Sequence, residues 1–71
     1  MDIFAMEREA QDRLAKDDAA SMDFYIIGAL GKVKATWLDP FFGFVRIDGQ
    51  EGFCRSADIR DFGATVEWIK P

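Results

Sequence analysis

The fold turns on residues 42–56, FGFVRIDGQEGFCRS. Alternation through Phe42–Ile47 sends Phe42, Phe44 and Arg46 to one side of an extended chain and Val45 and Ile47 to the other. Asp48-Gly49 is a strong hairpin signal. Gly52–Ser56 then reads as a second, short strand, with Phe53 and Arg55 on one face and Cys54 opposite. Val45, Ile47 and Cys54 together form one apolar face. The competing arrangement would bury the arginines beside the phenylalanines, which is costly for an unpaired guanidinium. The reading therefore turns Phe42, Phe44 and Phe53 outward, next to Arg46 and Arg55.

In the preceding segment, Tyr25, Ile27, Ala29, Val33, Ala35 and Trp37 are apolar. The intervening positions pass from Phe24, Ile26 and Leu30 to Lys32, Lys34 and Thr36. This pattern predicts one long strand over Phe24–Leu38, buried on both faces early and on one face later, with Gly28 and Gly31 available for a bend. Asp39-Pro40 marks a turn. A last strand is predicted over Ala64–Lys70, with Val66 and Trp68 sharing a face. On the N-terminal side the composition changes: up to Asp18 there is no Gly, Pro or Thr. Ile3, Met6, Ala10 and Leu14 fall within one helical face, Asp2 suits the N-cap, and Glu9–Arg13 and Asp12–Lys16 are one-turn pairs. Asp17 interrupts the stripe where another turn would continue. Residues 1–22 thus read as an acidic helical leader and 23–71 as a β unit. The leader lies against the open end or edge of that unit, offers a partner-binding or strand-mimicking acidic helix, or is a mostly frayed terminus.

A chain of 71 residues with 49% hydrophobic and 31% charged side chains describes one small folded domain of marginal stability. The net charge of −4 is unevenly spread: residues 1–23 hold seven acids and three bases, and the remainder is neutral. Charge-driven binding to duplex DNA is therefore disfavoured. With no histidine, the usual general base, the commonest zinc ligand and every His-dependent triad are missing. Cys54 stands alone, so no internal disulfide forms and a reducing compartment fits. The first residues lack the basic-then-apolar order of an export signal. The longest apolar run, Phe24–Leu30, is far shorter than a membrane span. A cytoplasmic location with no membrane partner is expected. So is the absence of catalysis, metal and cofactor: Asp58 and Asp61 read as turn carboxylates, Cys54 as a small core residue, and Gly49-Gln50-Glu51-Gly52 as a turn with no helix to cradle phosphate.

Four segments, in order, resemble the cold-shock domain. Gly31-Lys32-Val33-Lys34 is similar to that family's opening GKVKWFN, and Phe42-Gly43-Phe44-Val45 to its GFGFI motif. Gly52-Phe53-Cys54-Arg55 followed by Ala57-Asp58-Ile59 matches VFVH and a segment such as SDI, and Val66-Glu67-Trp68-Ile69 a final VEFEV-like strand. The resemblance covers about Gly31–Ile69. There are departures: Ala35 and Thr36 stand for the aromatic pair after GKVK, Pro40 and Phe41 for a lysine and glycine, Arg55 for a histidine, and Ser56 for a further aromatic. The loop Arg60–Phe62 is short, and a fifth strand is not expected.

What the resemblance implies is a mainly β fold, a small OB-like, cold-shock-like antiparallel barrel of about four strands preceded by an N-terminal α-helix. The implied function is non-catalytic binding of single-stranded RNA or DNA, expected here to be weak. Bases would stack on Phe42, Phe44 and Phe53, assisted by Trp37. Lys32, Lys34, Arg46 and Arg55 would meet phosphates, with Arg60 a more distant candidate. The alternative is a protein-interaction module, an inhibitor or adaptor of nucleic-acid machinery that uses the leader helix and the aromatic face. The missing strand would leave an open edge, covered by the Phe24–Leu30 segment, by the leader, or by a second copy in a homodimer.

Overall fold

The computed structural model describes residues 1–16 and 20–70. Asp17 and Asp18, which the sequence reading used as the end of the apolar stripe and as part of the acidic leader, lie outside them. The order of elements is α1 (Ile3–Lys16), β1 (Asp23–Gly28), β2 (Gly31–Asp39), β3 (Phe44–Ile47), β4 (Cys54–Arg55), α2 (Ser56–Asp61) and β5 (Thr65–Trp68). All neighbouring strands are antiparallel, in the order β4-β3-β2-β1-β5. The fold is mainly β with an N-terminal helix, as expected. Two corrections apply: there are five strands instead of about four, and β4 and β5 lie at opposite edges without pairing, so the sheet is open and no barrel closes.

The extra strand comes from the segment expected to be one long strand. Instead of bending, the chain reverses at Ala29–Leu30, with Gly28 opposite Gly31 and Gly31 at φ 118°, a backbone conformation suited to glycine. The reversal solves a problem of parity. Phe24 is an even and Ala35 and Trp37 are odd positions, so a straight strand would point them to opposite faces. As cross-strand partners, Phe24 and Ala35 both turn inward. β1 then lies between β2 and β5, so the Phe24–Leu30 segment is paired within the sheet, whose edges are β4 and β5. Part of the outer edge of β5 is covered, where the Val66 N–H donates to the Met1 carbonyl at 2.9 Å.

Helix α1 begins where Asp2 accepts the Phe4 N–H on Oδ1 at 2.6 Å, as an N-cap does. Its Ile3, Met6 and Ala10 are fully buried and join Phe24, Ala35, Trp37, Val45, Ile59 and Val66 in a single core. Ile47 and Cys54 pack half-buried against it. Leu14, the fourth member of the expected stripe, is only half-buried. Lys16 bonds Asp12 at 3.0 Å as the spacing predicts. The expected Glu9–Arg13 pair is replaced by a grip on Trp68: its indole N–H donates to Glu9 Oε1 at 3.0 Å, and the Arg13 guanidinium lies 3.7 Å from the ring centre.

The expected strand over Gly52–Ser56 shrinks to Cys54–Arg55 because Ser56 already opens α2. Asp58 accepts the Arg55 N–H at 3.0 Å, capping that turn, and Ile59 carries the short helix into the core. The last strand is likewise shorter than predicted, with Val66 and Trp68 turned inward together.

Candidate functional site

Because Val45 is buried at the centre of β3, its neighbours Phe44 and Arg46 must stand on the outer face of the sheet. Phe44 pairs with Arg55 of β4, and Val45 with Cys54. Alternation therefore brings Phe53 and Arg55 to the same outer face. Phe42 arrives from the turn after β2. There Asp39 Oδ1 accepts the N–H groups of Phe41 and Phe42 at 3.0 and 3.3 Å, fixing the turn that carries the ring. The three rings touch in series. Phe42 and Phe44 are stacked with centroids 5.8 Å apart, and Phe44 and Phe53 are tilted at 4.6 Å. Phe42 is 70% and Phe53 58% exposed, while Phe44 sits half-buried between them. The Arg55 guanidinium lies 5.4 Å from the Phe44 ring centre.

A brace from behind holds this platform. Gly43, between the first two rings, has φ 72°, and its carbonyl accepts the Ser56 N–H at 2.9 Å. The buried Ser56 hydroxyl donates to Glu7 Oε2 of α1 at 3.0 Å. A Cβ at Gly43 would come within 2.8 Å of Ser56 Oγ. Gln11 of the same helix donates to the Pro40 carbonyl at 3.0 Å. The helix thus reaches through to the turns that carry Phe42 and Phe53. Sequence reasoning missed Glu7, Gln11 and Ser56 in this role, since their partners lie far away along the chain; the Asp39-Pro40 turn signal did point toward Asp39.

Of the remaining expected site residues, Trp37 is the one the structure removes. It is 3% exposed, faces the core from β2 opposite Val45, and stacks on Phe24 at 5.5 Å. No base can reach it there. Its buried indole N–H has no partner among the described residues. Lys32 and Lys34 stand on the outer face but toward its other end, each 3.9 Å from a carboxylate: Glu67 for Lys32 and Asp23 for Lys34. Arg46 lies between the two regions, opposite Thr36. Among the described residues, neither Arg46 nor Arg55 forms an ion pair. Arg60 stands apart on α2, bonded to Asp61 Oδ1 and lying over Phe4.

The core-side residue Cys54 has its thiol pushed above the ordinary range, first by burial and then by the nearby Asp58 carboxylate. Among the described residues, no three Cys, Asp or Glu side chains gather as a metal site requires. No described helix is long and apolar enough to cross a membrane. No protein family, curated protein or solved structure matches the chain.

Proposed function

We propose that this chain binds unpaired RNA or DNA without catalysing a reaction on it. The observation that carries the reading is a row of three touching phenylalanine rings on the face away from the core, flanked by Arg46 and Arg55, neither within ion-pair distance of a carboxylate among the described residues. A soluble domain has no packing reason to hold two such rings mostly exposed. Every base has a π-face, and each base stacked on an aromatic ring contributes about 1–3 kcal/mol. The guanidinium groups supply charge for the phosphates between bases, with Lys32 and Lys34 further along the same face. With a net charge of −4, the affinity is modest and falls as salt rises.

The side-by-side order of the strands bearing Gly31–Lys34, Phe44–Val45 and Cys54–Arg55 supports a finer reading of the fold as an opened OB-type, cold-shock-like sheet. Anisotropy titration of a fluorescent oligothymidylate at low salt tests the function. Wild type binds, and Phe42→Ala/Phe44→Ala, checked by circular dichroism to be folded, binds at least about tenfold more weakly. Equal affinity of the two would contradict the reading.

A protein-interaction module is the second reading. One observation favours it: a groove of about 360 Å³ lined by Ile26, Leu30, Val33, Phe62 and Ala64, apolar and away from the three rings. The acidic helix favours it less, since Ile3, Met6 and Ala10 serve the core and Glu7, Glu9 and Asp12 each have a partner within the chain. Failure of folded wild type to bind any oligonucleotide at low salt would leave this second reading.

A further inference from the structure

The outer face is electrostatically divided. At the β3–β4 end stand the three rings with Arg55, and between the ends Arg46 lines a pocket with Lys34, Thr36 and Asp48; among the described residues neither arginine is within ion-pair distance of a carboxylate. At the β1–β5 end Lys32 and Lys34 each have an anion beside them. Lys34 Nζ is 3.9 Å from Asp23, and Asp23 is itself fixed by the Thr36 hydroxyl, which donates to Oδ1 at 2.7 Å. Lys32 Nζ is 3.9 Å from Glu67 and 5.2 Å from the Tyr25 ring centre. The register makes this one continuous surface: Arg46 faces Thr36, Thr36 faces Asp23, Lys34 faces Tyr25, and Tyr25 faces Glu67. A strand leaving the rings past Arg46 therefore runs toward Asp23 and Glu67.

We infer that Asp23 and Glu67 act as built-in competitors of phosphate, closing the lysine end of the face and limiting the site to about three unpaired nucleotides. This rests on the nucleic-acid reading above. A phosphate brought to Lys32 or Lys34 meets a carboxylate well inside the screening length of about 8–10 Å, so attraction and repulsion nearly cancel. Exposed pairs of this kind contribute only about 0–1 kcal/mol to folding. Stability gives little reason for them, whereas their effect on a bound anion is direct. The ligand class that fits is a short unpaired element, such as a small loop, bulge or strand end, in preference to a long single strand.

The test uses fluorescent oligothymidylates of about two to eight nucleotides, with wild type, Asp23→Asn/Glu67→Gln, and the same double variant carrying Lys32→Ala/Lys34→Ala. Asparagine at position 23 keeps an acceptor for Thr36, and circular dichroism checks folding. Wild-type affinity should stop rising at about three nucleotides, and log K should fall against log salt with a slope of about −1.4, as two arginine–phosphate contacts require. In Asp23→Asn/Glu67→Gln, affinity should keep rising with length, gain about tenfold at low salt and steepen to a slope of about −2.8. Removing the two lysines should abolish that gain. An unchanged length limit and slope in a binding-competent Asp23→Asn/Glu67→Gln would overturn the inference and leave the stacking site standing. No binding by any of the three proteins would overturn the site itself.

Discussion

Phe42 and Trp37 are both aromatic and both belong to the β2–β3 unit, yet the fold turns them to opposite faces. Trp37 alternates with Ala35 into the core, while Phe42 rides on a turn fixed by the Asp39 carboxylate. Trp68, the other tryptophan, is also on the core side, held by Glu9 and Arg13. Saturating oligonucleotide should therefore leave the tryptophan emission nearly unchanged, although the Phe face is occupied; strong quenching would mean that bases reach a ring assigned to the core. Cys54 gives a second residue-level expectation. Burial and Asp58 hold its proton more tightly in the folded chain than in the unfolded one. The resulting stability is complete below the unfolded thiol's pKa and is lost as pH rises through the folded one. Alkylation by iodoacetamide at mildly alkaline pH should accordingly be slower in the folded protein than in denaturant, and equal rates would contradict that placement.

At the scale of elements, the sequence made β3 readable because one strand with a buried valine flanked by phenylalanine and arginine has only one inexpensive orientation. The β1–β2 hairpin was not readable in the same way. Phe24–Leu38 is apolar on both parities early, and a two-residue reversal at Ala29–Leu30 carries no Asn-Gly or Asp-Gly signal. Helix α2 was hidden for a different reason: the strand pattern ran to Ser56 and Asp58 read as a turn carboxylate, whereas Asp58 accepts the Arg55 N–H and caps a helix that Ser56 opens. The link from Glu7 through Ser56 to Gly43 could not be read at all, being tertiary. It can be tested through Gly43, whose φ of 72° and close approach to Ser56 Oγ leave no room for a side chain. Gly43→Ala should lower the unfolding free energy by about 1–3 kcal/mol in urea melts and weaken oligonucleotide binding by displacing Phe42 and Phe44. A variant with wild-type stability would show that the brace is dispensable.

Across the whole molecule, two faces of one open sheet have separate tasks. Helix α1 covers the inner face and completes the core, so residues read as an acidic leader are also part of what makes a short chain foldable. The outer face keeps Phe42 and Phe53 exposed, pairs Lys32 and Lys34 with carboxylates, and among the described residues leaves Arg46 and Arg55 outside ion-pair distance of one. Net acidity and an exposed cation–aromatic patch coexist because Glu9 and Asp12 are engaged by Trp68 and Lys16, while Glu7 lies behind the patch, bonded to the buried Ser56 hydroxyl. The most direct measurement is aromatic NMR of the labelled protein with unlabelled oligothymidylate, reading contacts between ring and base protons. The account predicts intermolecular cross-peaks from Phe42, Phe44 and Phe53, with Trp37 and Phe62 silent. Cross-peaks confined to Phe62, or unperturbed Phe42, Phe44 and Phe53 resonances at saturating ligand, would contradict it.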